Sequence, residues 1–441
     1  MRVTLTVIRW MRRALVKIVD WVASPKGRWW EAFVRLFPWI VAAAMVAKAI
    51  RSVYPRLLEP LMTGTFNGDL WIYTAAQNQL DWFTTGFMRR ELFNTFVGLV
   101  GLTGADAMLS SALVFLFFYF MLAIALTWFV ARRRPSPHQV ALATIGIALL
   151  FRLSFDVGRS DSAVMLCGLL AAWASRAGRW AVASTAVVVA LTIHETGMIF
   201  LAPLVCAIVW EQRAWRDIPW RSVGAAAAIM AVGLGLYLIS AKAQLDVHGI
   251  ARHVHEQFAD PTWADMAVYF NVAGFRTIQT TWCEIPLDPK FGLKVLAGVS
   301  LLALLSVTLR RKRWRVTLLA VLIPFLFMCA IATDVGRWAM LGVASILALA
   351  VTQPAEEDRV AWAFSAVALL AFPLMTKTLG AAGELTPVPW LHRLDRYPGL
   401  YTPPANILLD ICDPGWRAFL GLPEPEAEAA RSQSSPALRR P

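Results

Sequence analysis

Apolar residues in this chain fall into long continuous runs, without the strict alternation of a half-buried strand. Runs of this kind read as helices that are apolar all round, and they argue against a transmembrane barrel. Along the chain they predict spans from about Leu36 to Ile50, Ala107 to Ala131, Gln139 to Leu153, Ala163 to Ser175 and Trp180 to His194. A sixth returns to Arg213 and a seventh covers Val223 to Ile239. Later spans lead to Arg310, reach Asp334, return to Glu356 and cover Val360 to Met375. The pattern therefore predicts an all-α polytopic membrane protein of about eleven transmembrane helices. Several runs hold only about 15 residues, short of the ~20 that cross a bilayer. Their meeting points, at Asp156, His194 and Asp334, are expected below the surface, as short broken helices around an outward-facing cavity.

Polar segments divide the remainder. Residues 1–35 interleave Arg2, Arg9, Arg12 and Arg13 with Ile8, Trp10 and Leu15, which predicts an amphipathic helix on the cytoplasmic surface without a signal-peptide cleavage pattern. A transmembrane domain over residues 36–378 then carries two long outer loops, about 51–105 and 242–290. The first reads as re-entrant or interfacial helices, the second as a loop. Residues 379–441 form a Pro-rich tail on the outer face, disordered from about 423.

Composition agrees with the pattern. Of 441 residues 58% are hydrophobic and only 16% charged, and the mean hydropathy is +0.56, which excludes an ordinary soluble domain. A net charge of +13 would suggest nucleic acid in a soluble chain. Here about half of the 42 lysines and arginines sit in short clusters, such as Arg132-Arg133-Arg134 and Arg310-Arg311-Lys312-Arg313, between apolar runs. That is the positive-inside signal, with the N-terminus in the cytoplasm; the partners it implies are membrane lipids, not nucleic acid.

With the sides set by the basic clusters alone, the ionisable constellations fall on the outer face. Asp156-Val157-Gly158-Arg159-Ser160-Asp161 recurs in part as Asp334-Val335-Gly336-Arg337. Charges at membrane depth are costly, so they mark a path or a site. Arg159 and Arg337 suit an anion such as a diphosphate; the plainer alternative is that the aspartate three residues earlier holds each arginine in place. Asp161 adds a further ionisable group. Asp69, before Leu70-Trp71-Ile72, suits a general base or a helix cap. Arg89 and Arg90 suit either lipid phosphates or a substrate phosphate. His194-Glu195 suits proton transfer or a hydrogen-bonded turn. His253 and His255 are spaced for a metal only weakly. No phosphate-cradling Gly-rich loop and no Gly-x-Ser-x-Gly elbow is present. Cys167, Cys206 and Cys329 read as packing residues, while Cys283 and Cys412 can meet outside the membrane, a pairing that spacing does not decide.

The order Asp69 with Tyr73, Gly86-Phe87-Met88-Arg89-Arg90, Asp156 to Asp161, Ile193-His194-Glu195 and Asp334 to Trp338 resembles a broad group of bacterial polytopic proteins. Their layout is similar to that of polysaccharide polymerases and C-type membrane glycosyltransferases. The resemblance covers about Asn67 to Trp338. It implies transfer of sugar from a polyprenyl-phosphate or polyprenyl-diphosphate donor at the outer face of a bacterial inner membrane, with glycan-assembly partners. It places the base on Asp69, phosphate binding on Arg89, Arg90, Arg159 and Arg337 with Asp156, Asp161 and Asp334 around them, and positioning on His194 and Glu195. Asn67 stands where a second carboxylate would complete an acidic pair, so a divalent cation stays open as a cofactor. A transporter or flippase for a lipid-linked or anionic solute is the alternative expectation.

Overall fold

A computed structural model describes residues 62–63, 69–80, 94–95, 107–132, 160–212, 220–240, 246–258, 261–307, 314–352 and 405–422. Every regular element among them is a helix, so the described part of the chain is all-α. In order these are α1 (Asp69–Asn78), α2 (Ala107–Arg132), α3 (Asp161–Arg176), α4 (Trp180–Ile193), α5 (Thr196–Gln212), α6 (Trp220–Ser240) and α7 (Val247–His255). There follow α8 (Thr262–Val272), α9 (Phe275–Leu287), α10 (Phe291–Val307), α11 (Trp314–Ile331), α12 (Val335–Thr352), α13 (Ala405–Cys412) and the short α14 (Trp416–Phe419). The expected spans at 36–50, 139–153 and 360–375 lie outside the described residues.

Two apolar clusters organise these helices. The larger draws on α2 to α5 and α10 to α12 and makes a bundle, with α6 laid along α4. Its axis is α12, which packs against α2, α3, α5, α10 and α11; of its 18 residues only Arg337 and Ala344 are not buried. A helix without a polar stripe needs neighbours on every side. The hydroxyls of Ser345 and Thr352 return to carbonyls of their own helix, at 3.0 and 2.7 Å, so they burden no apolar neighbour. Gly342 lets α10 close in: a Cβ there would lie 2.8 Å from Leu302.

Among the described residues α12 alone is both long and apolar enough to cross a membrane, and six shorter apolar stretches lie in α2, α4, α5, α6, α10 and α11. The outward side of the bundle is also apolar. Phe117, Phe120 and Ile124 on α2, Val232 on α6, Leu296 on α10, and Ile323 and Phe327 on α11 are each more than half exposed.

The smaller cluster is a cap built from α1, α7, α8, α13 and α14 around Tyr269 and Trp416. The described residues of 242–290, expected as a loop, are largely helical. The reason is visible in the spacing Val247, Ile250, Ala251, Val254, one face of a helix. Asp246 caps that helix by accepting from the Gly249 amide at 2.9 Å. Gly274, at φ 55°, turns the chain between α8 and α9 where a side chain would be strained. Residues 405–422 are clamped to these helices by a Cys283–Cys412 disulfide and by Asp413, which accepts from Arg276 Nη2 and from the Tyr269 hydroxyl, each at 2.6 Å. Burial, then the bond to Asp413, pushes the Tyr269 hydroxyl up to about 12. Burial pushes Asp413 up as well, but the donors Arg276 and Tyr269 together outweigh it and hold the carboxyl below its ordinary range. The cap rests on the bundle through α1 on α2 and α9 on α11.

Candidate functional site

The two copies of the aspartate–glycine–arginine motif meet through the helices that follow them. Arg337 donates from Nε and Nη2 to the two oxygens of Asp161, each at 2.7 Å. At the other end of the same helices Arg176 Nε donates to Thr352 Oγ1 at 3.1 Å. Both bonds link residues 176 apart, so α3 and α12 run parallel and in register over their length. Parallel packing sets two helix N-termini side by side, each equivalent to about half a positive charge. The Ser160 carbonyl opens α3, accepting from the amides of Ala163 and Val164, and the Asp334 carbonyl opens α12, accepting from those of Arg337 and Trp338. Asp161 is therefore a first-turn carboxylate, where the helix end favours it, and it is almost fully buried.

This arrangement corrects one expectation. The carboxylate that holds Arg337 is Asp161 from the other copy, not Asp334 three residues earlier. Sequence reading paired each arginine with its nearest acid; the parallel packing of α3 on α12 brings a distant one closer. The guanidinium also stacks over the Trp338 ring, 5.2 Å from its centroid, so its Nε edge and one face are occupied.

His194 and Glu195 lie at the same end of the bundle. A Schellman turn ends α3: Gly178, at φ 71°, donates to the Ser175 carbonyl and Arg179 to that of Ala174. The turn sends α4 back beside α3, and α4 finishes at Ile193. The chain breaks there, with His194 extended at φ −163° and ψ 136°. It resumes as α5 packed on α4 so closely that a Cβ on Gly197 would lie 2.5 Å from the Ala190 carbonyl carbon. His194 Nδ1 accepts from the Thr196 amide at 3.3 Å and lies 3.0 Å from its hydroxyl. A backbone amide only donates, so Nδ1 is the acceptor and the ring proton belongs on Nε2. The ring is buried, with Glu195 Oε2 3.5 Å from Nδ1. One imidazole nitrogen is thus committed to the helix break.

The break between α11 and α12, residues 332–334, is held from the cap. Trp282 Nε1 on α9 donates to the Ala330 carbonyl at 2.8 Å, and Trp338 Nε1 to that of Ala332 at 3.3 Å. These indoles satisfy carbonyls that the end of α11 leaves open. Thr333 Oγ1 donates to Glu284 Oε2 on α9 at 3.0 Å. Glu284 is buried, and burial raises its carboxyl above the ordinary range although the Thr333 bond pulls the other way. Sequence reading placed Glu284 only within a loop; no local signal marks it, because its burial comes from the docking of α9 on α11.

Asp69 is the first residue of α1, which packs on α8 of the cap and on α2 of the bundle. Asp334 is half-buried in the 332–334 break. Arg89, Arg90, Asp156 and Arg159 lie outside the described residues. In the cap, His255 Nδ1 stands 3.0 Å from the buried Asp265, which Arg417 also approaches at 3.5 Å, while His253 Nε2 meets Gln257. The two histidines have separate partners and do not converge on one metal. No protein-family model, curated protein or solved structure matches this chain.

Proposed function

We propose that the chain is a polytopic protein of a bacterial inner membrane that transfers sugar from a polyprenyl-phosphate or polyprenyl-diphosphate donor at the outer face. The observation that carries this reading is the in-register pairing of α3 and α12. It gathers two helix N-termini, Asp161, Arg337 and the 332–334 break at one end of the bundle, with the His194 break at the same end. Fixed positive ends of helices in a water-poor setting are suited to a phosphate leaving group.

Membrane insertion is supported by the large apolar side chains exposed together on the outward surface of α2, α6, α10 and α11. With 26 residues, α2 is also about 39 Å long. Sidedness is supported twice, independently. The Cys283–Cys412 disulfide belongs to an oxidising compartment, and the helix bearing Cys283 touches the motif end of the bundle through Trp282 and Thr333. Arg176 and Arg179 lie at the opposite end, at and just beyond the C-terminus of α3. Asp69 then heads a helix of the outer cap and serves the acceptor, as base or as ligand of a divalent cation.

The test is reconstitution in nanodiscs with polyprenyl-diphosphate-linked oligosaccharide and a sugar acceptor, with and without EDTA, products read by mass spectrometry. Wild-type protein forms product and Asp69→Asn does not; absence of product across donor lipids and acceptors ends the reading. The transporter alternative draws on the same parallel pair, since duplicated helices also build transporters. Movement of labelled lipid-linked donor across proteoliposomes lacking acceptor would favour it instead.

A further inference from the structure

We infer that Glu284 is a catalytic carboxylate of this site, taking the proton of the acceptor hydroxyl on its Oε1. The inference rests on the transferase reading above and adds a residue to it. Glu284 reaches the site from the cap and not from the bundle. Its Oε2 is fixed by the Thr333 hydroxyl, in the break immediately before Asp334. Its Oε1 has no hydrogen-bond or cation partner among the described residues and is not sealed from solvent. A glutamate only 8% exposed, its carboxyl met by a single neutral donor, is a costly way to fill space. The same volume filled by glutamine or leucine would be cheaper, so the cost points to use.

Its surroundings hold it still. The neighbouring Cys283 is bonded to Cys412, and Trp282 is anchored on the Ala330 carbonyl. The charged groups on the elements around it are Asp334 in the break, Arg337 with Asp161, Arg276 with Asp413 at the start of α9, Asp288 with Lys294 at its end, and Asp410 on α13, which accepts from Trp416. Burial raises its proton affinity, and the Thr333 bond works against that rise. A carboxylate of raised proton affinity is a better general base at neutral pH than an ordinary one. In the step, the acceptor oxygen bonds to the donor C1 and the C1–O bond to phosphate breaks. The polyprenyl phosphate leaves with the electron pair, and the hydroxyl proton ends on Glu284. Asp69 then orients the acceptor or binds the cation.

Two readouts on the intact protein in nanodiscs decide this. The first is labelling by dicyclohexylcarbodiimide, which modifies protonated carboxyls, mapped by peptide mass spectrometry. Glu284 is expected to label at a higher pH than an ordinary carboxyl does, and to stop labelling as pH rises further. The second is steady-state transfer. Glu284→Gln is expected to lower kcat by about 10²-fold or more with KM little changed, and Glu284→Asp to restore part of it. Thr333→Val removes the bond that lowers the carboxyl, so the acidic limb of the pH profile moves to higher pH. Full kcat in Glu284→Gln, or no labelling at any pH, overturns the inference. Labelling in a protein that makes no product would instead retire the transferase reading and leave a proton-holding carboxyl in place.

Discussion

Removing one member of the Asp161–Arg337 pair should be among the most damaging single changes in the bundle. The side chains are 2% and 13% exposed, and the contact is bidentate. Loss of one partner leaves the other charged and buried, which costs about 3–5 kcal/mol. Asp161→Asn and Arg337→Gln are each expected to fall in that range. The double variant strands neither charge, so its cost should be less than the two single costs together by about 1–3 kcal/mol. The Arg276–Asp413 pair is the internal control. Its arginine side chain is 36% exposed, so solvent screening limits the ion pair itself to about 1 kcal/mol. Unfolding free energies in mixed detergent micelles give these numbers. Hydrogen exchange adds a spatial readout: the first turn of α12 should open in Arg337→Gln while the last turn, tied by Arg176 to Thr352, stays protected. Strictly additive single costs, or exchange that rises equally at both ends, would refute the argument that this one buried pair sets the register.

Three further outcomes follow from the geometry. Replacing Cys283 and Cys412 by serine opens a link across a sequence separation of 129 and is expected to cost about 2–5 kcal/mol, seen as faster proteolysis within 405–422. Gly197→Ala must push α5 away from Ala190 and should cost about 1–3 kcal/mol in micelle unfolding, with Gly178→Ala as a comparison where nothing lies within 4 Å and only the positive φ is strained. The depressed carboxyl of Asp413 gives the cap stability that is fully present above the ordinary value of 3.8 and lost as pH falls through the lower folded value. Exchange protection in α13 and α14 should therefore hold down to about pH 4 and fall below it, and Asp413→Asn should flatten that dependence.

Secondary structure and its punctuation were legible in the sequence. The runs that became α3, α4 and α6 are read within a few residues from apolar continuity alone, and the breaks at His194 and Asp334 follow from charges that a continuous apolar helix would not carry. Cys283 and Cys412 were recognisable as residues free to meet, but not as bonded, since loop spacing says nothing of distance in space. Residues 242–290 were read as a loop because of their mixed polarity, although α7 leaves a trace in the spacing of Val247, Ile250, Ala251 and Val254 and in the Asp246 cap. What tertiary structure alone decided is partnership. Asp161 holds Arg337 because α3 and α12 lie parallel, and an offset of 176 residues has no local trace. Glu284 enters the site because α9 docks on the end of α11, and burial of a carboxyl depends on what covers it. Periodicity is written in neighbours along the chain, whereas charge pairing and desolvation depend on distances that only packing creates.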